Sequence, residues 1–190
     1  MGKNILEMRK ISKSFFGVKV LDDAQLTVEE GQIHILLGEN GAGKSTLIKI
    51  LSGAYSREGG SIVLDGEEIQ SMSPGEMISR GVSVIYQEFN LIPDMPVYEN
   101  IFLGKEIISR GKVNHHKEME NARHCMERVG LNVHPKTLVR DLSVAQKQLV
   151  EIAKALSNNV KVLVLDEPTA AITDKETEML FEIVRDLKAQ

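Results

Sequence analysis

The sequence predicts an α/β fold built around a mainly parallel sheet. Short apolar runs of strand length alternate along the chain with segments of helical periodicity. The chain has 190 residues, of which 42% are hydrophobic and 26% are charged, so it has the length and composition of one soluble globular domain. No internal repeat, low-complexity tract or flexible linker interrupts this pattern.

Each element is assigned from its periodicity and from the turn residues beside it. Alternating or continuous apolar runs predict the strands, which are residues 5–16, 18–28, 33–37, 61–64, 82–86 and 162–165. Helical spacing predicts helices at 44–51, 74–80 and 173–189, and a mostly helical stretch over 98–157. The run at 33–37 is nearly all apolar, so we expect it to be a buried strand. Asp65-Gly66 predicts a tight turn after the strand at 61–64.

Composition argues against several classes of function. The single cysteine, Cys125, cannot form an internal disulfide, which favours a reducing, cytosolic environment. Aromatic residues are 4% of the chain, Trp is absent and the net charge is −4, which disfavours a nucleic-acid surface. No apolar run reaches the roughly 18 residues of a spanning helix, so we expect any membrane role to act through partners.

The segment 38–46 contains the phosphate-binding pattern G-x-x-x-x-G-K-[ST] in full, over residues 38–45. The segment consists of Gly38, Glu39, Asn40, Gly41, Ala42, Gly43, Lys44, Ser45 and Thr46. Glycines let backbone N–H groups close around an anion, and the helix that follows directs its positive end at the phosphates. Lys44 is expected to reach the β- and γ-phosphates of ATP, and the Ser45 hydroxyl to bind Mg²⁺. A chance match remains the alternative, at below roughly one in a hundred for this length.

A second acidic element follows the apolar strand at 162–165. Asp166, at the end of that strand, is expected to complete the Mg²⁺ site. Glu167 is expected to orient or deprotonate the water that attacks the γ-phosphate. The alternative is an ordinary solvated turn, since acids beside Pro168 are common in turns.

Together these motifs resemble the ATP-binding-cassette (ABC) ATPases, and the resemblance covers essentially the whole chain. Gln87 matches the family's Q-loop glutamine, which implies contact with Mg²⁺ and the attacking water. Phe15 lies where the family has an aromatic residue that stacks on adenine, with Phe16 as a possible substitute. Residues 142–146 resemble the family signature Leu-Ser-Gly-Gly-Gln, which contacts the ATP held by an opposite subunit.

The signature departs from the family pattern at two positions. Val144 and Ala145 replace two glycines, so side chains stand where bare backbone would approach the second ATP. Ser143 and Gln146 are spaced to form a capping box at the start of a helix, so a plain well-capped helix is the alternative. The loop at 169–174 also matches the family pattern only in part.

The resemblance implies a P-loop NTPase core with an N-terminal antiparallel β subdomain and an inserted helical subdomain. The expected core is 1–97 with 158–190, and the expected helical subdomain is 98–157. The altered signature, the segment at 173–176 and the stretch from 90 to 104 resemble the first cassette of ribose, galactose and xylose importers. We expect a C-terminally truncated chain, because the family continues to a further strand and a histidine beyond this position.

The expected function is ATP hydrolysis that energises import of a sugar at the cytoplasmic face of the membrane. The implied partners are membrane-spanning permease subunits, a second cassette and, indirectly, a sugar-binding protein, but no nucleic acid. The alternatives are a non-catalytic module for nucleotide binding and dimerisation, and a soluble cassette that acts on nucleic acid or ribosomes. The apolar segment 94–98 is expected to meet the membrane subunit, or else to be an internal hydrophobic seam.

Overall fold

The computed structural model describes residues 2–70, 72–166 and 174–189. These residues form two compact units. Of the described residues, the first unit holds those up to 84 with 160–164 and 188–189, and the second holds 85–159 with 165–166 and 174–187. In chain order the elements are β1 (Asn4–Phe15), β2 (Val18–Glu29), α1 (Lys44–Leu51), β3 (Gly59–Leu64), β4 (Glu67–Ile69), α2 (Pro74–Ser79), β5 (Val82–Ile85), α3 (Val97–Phe102), β6 (Ile108–Ser109), β7 (Lys112–Val113), α4 (His115–Arg128), α5 (Val144–Leu156), β8 (Val162–Leu165) and α6 (Asp174–Ala189).

The first unit contains a four-stranded antiparallel sheet in the order β2-β1-β3-β4. This sheet confirms the N-terminal antiparallel β subdomain that the family resemblance implied. The predicted turn at Asp65-Gly66 joins β3 to β4, and both residues have positive φ, 51° and 84°. The Asp65 carboxylate also forms ion pairs with Lys161 and Lys3, and these two ammonium groups lower its pKa to about 2.

The core of the first unit lies between the antiparallel sheet and the helix that follows the glycine-rich loop. Its fully buried members include Leu6, Met8 and Ile11 from β1, and Leu51 from α1. Because burial of apolar area contributes roughly 25 cal/mol per Å², these side chains anchor α1 against the sheet. The start of α1 is therefore held in place by packing along its length.

The sequence predicted a mainly parallel sheet, and in the described residues its parallel part consists of two strands, β5 and β8, while the larger sheet is antiparallel. Val162 N–H donates to Gly81 O at 3.0 Å, and Asp166 N–H donates to Ile85 O at 2.9 Å. The two partners advance together along β5 and β8, which makes the pairing parallel. The predicted strand at 162–165 is confirmed at both ends.

The prediction of a buried strand at 33–37 is wrong. Residues 32–39 belong to no strand, and the side chains of Ile35 and Leu37 are 70% and 84% exposed. A buried strand requires a neighbour to satisfy its backbone N–H and C=O groups, and no strand in the described part of the chain pairs with this segment. The apolar composition is typical of a buried strand, but composition alone does not show whether another strand lies beside the segment to pair with it.

The second unit is mainly helical, as the pattern over 98–157 predicted. Its helices α3, α4 and α5 pack on one another through buried apolar side chains, among them Ile101, Met126, Val150 and Ile152. A short hairpin of β6 and β7 precedes α4. In the described ranges, no helix has both the length and the apolar character needed to span a membrane. The domain boundaries at 97/98 and 157/158 stay a prediction.

Candidate nucleotide-binding site

The glycine-rich loop leads directly into α1, and this helix has an uncapped N-terminus. Gly43 is the N-cap residue, and among the described residues no side chain caps the helix. Side chains do cap α2, α4 and α5, where Ser73, Asn114 and Ser143 accept N–H bonds from the first turn. The first N–H groups of an uncapped helix need an external acceptor, and an anion is the acceptor that the helix dipole favours.

Gly43 is required at the helix start on two independent grounds. Its φ is +87°, in the left-handed region that side chains rarely adopt. A Cβ at this position would lie 2.6 Å from Leu21 Cδ2 and 3.1 Å from Val20 O. The loop therefore packs bare backbone against β2, and only glycine fits between them.

Lys44 folds its side chain back over the loop. Its Nζ donates to Gly38 O at 2.6 Å and to Glu39 O at 3.0 Å. Ala42 N–H donates to Glu39 O at 3.1 Å, which closes the loop into a tight turn. The ammonium group is thus held at the loop, beside the N-terminus of α1, and Ser45 and Thr46 follow it in the first turn of that helix. Backbone donors and one cation converge here, as phosphate binding requires.

Phe15, the residue expected to contact adenine, packs against another aromatic residue, Tyr55, which no sequence motif indicated. The rings of Phe15 and Tyr55 meet edge to face, with centroids 5.4 Å apart. The Lys13 and Lys49 ammonium groups lie 5.4 Å from the Phe15 and Tyr55 rings respectively. Phe16, the possible substitute, is fully exposed and has a positive φ of 50°, so it contributes no comparable packing.

The loop that carries Tyr55 is fastened to the end of β1. Glu58 N–H donates to Ser12 O at 2.9 Å, and Ser14 N–H donates to a Glu58 carboxylate oxygen at 3.0 Å. Tyr55 N–H donates to Lys49 O at 3.0 Å, which joins the same loop to α1. These bonds link the end of α1 to the aromatic end of β1, within the first unit.

The remaining predicted residues that the structure describes lie in the second unit. Gln87 is exposed two residues after the end of β5, and Asp166 directly follows β8. The structure therefore places the phosphate loop and Phe15 in one unit, and Gln87, Asp166, Ser143 and Gln146 in the other. Glu167 and the loop at 169–173 lie outside the described residues.

Ser143 and Gln146 form the capping box that their spacing predicted. Gln146 N–H donates to Ser143 Oγ at 3.2 Å, and Ser143 N–H donates to Gln146 Oε1 at 3.0 Å. Val144, which replaces a family glycine, is 40% exposed at the same helix end. The signature segment thus opens α5 at the surface of the second unit, with its serine fixed by the cap.

The segment 94–98 divides into an exposed half and a buried half. Val97 is fully buried and Tyr98 is 7% exposed, whereas Asp94 is exposed and forms an ion pair with Arg140 at 2.7 Å. Burial raises the pKa of Tyr98 to about 12. Val97 and Tyr98 thus belong to an internal hydrophobic seam, which leaves only the first part of this segment accessible to a partner.

The phosphate loop, the parallel strand that Asp166 follows and the helix α5 that begins at the Ser143 cap are the features of an ATP-binding cassette. A family model described as ABC transporter matches residues 21–170, and the chain belongs to this family. A solved nucleotide-free ATP-binding cassette from an ABC transporter superposes with a TM-score of 0.86 at 30% identity, covering 98% of this chain and 78% of that one. A dimeric cassette in a post-hydrolysis state, bound to ADP and Pi, gives a TM-score of 0.80 at 25% identity over 96% and 82% of the two chains.

The curated relatives narrow the comparison to sugar importers. The chain is 50% identical to the ribose import ATP-binding protein RbsA 1 of Rubrobacter xylanophilus over 98% of its own length. It is 46% identical to a putative ribose/galactose/methyl galactoside import ATP-binding protein of Agrobacterium fabrum over 97% of its length. In both comparisons the chain spans 37% of the relative.

Proposed function

We propose that this chain binds ATP with Mg²⁺ and that hydrolysis of the ATP energises import of a sugar through a membrane-spanning permease. The observation that carries the proposal is the uncapped start of α1, where glycine backbone and the Lys44 ammonium meet. The relatives at 46–50% identity, whose names specify ribose or galactose import, support a sugar as the cargo. A permease partner would hold the chain at the cytoplasmic face of the membrane.

The first unit offers the groups that would hold ATP. The loop from Gly38 to Thr46 would surround the phosphates with N–H groups, and Lys44 would exchange its carbonyl acceptors for phosphate oxygens. Phe15, supported by Tyr55, would stack on the adenine. The oxygen ligands that Mg²⁺ prefers would come from the Ser45 hydroxyl, the Gln87 amide and the Asp166 carboxylate. Mg²⁺ would supply charge neutralisation at the β- and γ-phosphates.

Hydrolysis would use residues from both parts of the chain. Lys44 would stabilise negative charge that develops on the γ-phosphate, because a preorganised cation costs no reorganisation during the reaction. Gln87 would hold the attacking water by hydrogen bonding, and Glu167 would accept its proton. Ser143 and Gln146, at the exposed start of α5, would contact ATP held by a second cassette. Closure and reopening of the two cassettes would then move the permease.

Transport in reconstituted vesicles tests the proposed function. The protein at its natural length, together with its permease and binding protein, is expected to accumulate radiolabelled ribose or galactose only when MgATP is present on the cassette side. An amino acid cargo serves as the control, and we expect no uptake of it. Uptake of the amino acid without uptake of either sugar would contradict the assignment of the cargo.

Tyr55→Ala is expected to weaken ATP binding about threefold to tenfold without disturbing the fold. The edge-to-face contact with Phe15 is worth about 0.5–1.5 kcal/mol, and its loss frees the Phe15 ring to turn away from the base. Titration calorimetry with ATP measures the effect. Tyr55→Phe keeps the ring and is the matched control, for which we expect wild-type affinity. Equal affinities of the alanine variant and the wild type would show that the Phe15 ring needs no support.

A further inference from the structure

Two side chains of α5 hold one residue of the segment that follows Gln87. Asn90 N–H donates to Glu151 Oε1 at 2.6 Å, and Lys154 Nζ donates to Asn90 O at 3.0 Å. The donor and the acceptor of a single residue's backbone are therefore both satisfied by the same helix. Glu151 and Lys154 are three residues apart, which places them on one face of α5.

The contact is built from a buried carboxylate. Glu151 is 7% exposed, and burial raises the pKa of its carboxyl, while the Asn90 N–H and the Lys154 ammonium oppose that shift. Burial of an acidic group costs free energy unless hydrogen bonds and charges compensate it. Among the described residues, the backbone of Asn90 and the side chain of Lys154 compensate Glu151, so the carboxylate and the loop depend on each other.

A third side chain, that of Asn100, holds the backbone further along the same loop. Asn100, fully buried in α3, accepts from Ile92 N–H at 2.7 Å and donates to Ile92 O at 3.1 Å and to Met95 O at 3.2 Å. Residues 90–95 form no strand or helix, so their backbone groups need such partners. The loop is thereby attached to α5 at Asn90 and to α3 at Ile92 and Met95.

We propose that Glu151 and Lys154 are positioning residues that make the Q-loop segment and the signature helix α5 move as one body. We call the two contacts of Glu151 and Lys154 with the Asn90 backbone the clamp. Gln87 lies three residues before Asn90, and α5 begins at the Ser143 cap, so the clamp connects the two elements of the second unit that would contact ATP. This inference rests on the proposed function, which assigns ATP contacts to Gln87 and Ser143. A displacement of either element would then be transmitted to the other through Asn90.

Amide hydrogen exchange tests the clamp itself, in the protein at its natural length. In Glu151→Ala the Asn90 amide is expected to exchange about tenfold faster or more, because its acceptor is gone. Glu151→Gln retains an acceptor oxygen and is expected to keep most of the protection. Lys154→Met, which leaves the Asn90 N–H bond in place, is a second variant in case Glu151→Ala does not fold. Exposed Glu127 on α4 provides the matched control, Glu127→Ala.

Steady-state hydrolysis separates a positioning role from a purely structural one. We expect Glu151→Ala to lower kcat roughly tenfold to a hundredfold with ATP affinity within twofold of wild type, because small displacements of a water-holding group cost rate. Glu151→Gln should recover most of the loss, and Lys154→Met should show a smaller fall. Faster Asn90 exchange with unchanged kcat, or a kcat loss that Glu151→Gln does not recover, would overturn the proposal. If Lys44→Ala left ATP affinity unchanged, the proposed function would fail, while the exchange result would still decide the clamp.

Discussion

Replacement of Lys44 by alanine is expected to weaken ATP binding at least about 100-fold, which corresponds to about 2.8 kcal/mol. In the structure the Lys44 ammonium lies against two loop carbonyls at the N-terminus of α1. It is therefore already held where phosphate oxygens would replace those carbonyls as acceptors. Charge-assisted bonds to phosphate are about twice as strong as neutral ones, and alanine removes them together with the positive charge. Titration calorimetry with ATP and with a non-hydrolysable analogue measures the loss.

The matched control for this variant is Lys112→Ala, in the exposed β7 of the second unit. It removes the same charge from a surface hairpin that carries none of the proposed ATP ligands, so we expect unchanged affinity and an unchanged melting temperature. Circular dichroism should show that Lys44→Ala is folded, since its side chain makes no core contact in α1. Wild-type affinity of a folded Lys44→Ala protein would disprove the phosphate-loop assignment and with it the proposed function.

Glu167→Gln is expected to lower ATP hydrolysis about 10²–10³-fold while ATP affinity stays within threefold of wild type. A positioned general base contributes about 10²–10⁴-fold to a proton-transfer step, and glutamine keeps the size of the side chain but cannot accept the proton. Phosphate release under steady-state conditions gives the rate, and equilibrium titration gives the affinity. The protein at its natural length, with its partners, is the appropriate material.

The same substitution at Glu178, which is exposed in α6, is the control for the chemical change. Glu178→Gln should hydrolyse ATP at the wild-type rate. If Glu167→Gln also hydrolysed ATP at the wild-type rate, or if the wild-type protein had no activity, the non-catalytic nucleotide-binding alternative would be favoured. Val144 and Ala145 in the signature make this comparison informative, because side chains replace bare backbone there.

Local patterns predicted much of the fold correctly. The helix at 44–51 and the strand at 162–165 have the bounds that periodicity predicted, and the Asp65-Gly66 turn joins the strands that its composition indicated. Each of these features depends on interactions among residues that are close in the chain, such as turn conformation and helical spacing. The segment 33–37 shows the limit of this reasoning, because a buried strand needs partners from elsewhere in the chain.

For the candidate site too, local motifs could be predicted from the sequence and long-range contacts could not. The residue types of the phosphate loop and the capping box at Ser143 could be predicted because both are local motifs with fixed spacing. The contact of Tyr55 with Phe15 could not be predicted, since an aromatic residue after a helix carries no sign of which ring it will meet. The role of Glu151 could not be predicted either, because its helical spacing does not indicate that it is buried against the backbone of Asn90.

The sequence by itself determined the family of this protein, its phosphate loop and the chemistry expected of Lys44, Ser45 and Asp166. Only the tertiary structure decided that no described side chain caps α1, that Val97 and Tyr98 are buried, and that Glu151 holds Asn90 across 61 positions of sequence. Motifs are short-range relations, which the order of residues records directly. Long-range contacts depend on how the whole fold buries apolar area and pairs its hydrogen-bonding groups, so they cannot be inferred from the order of residues alone.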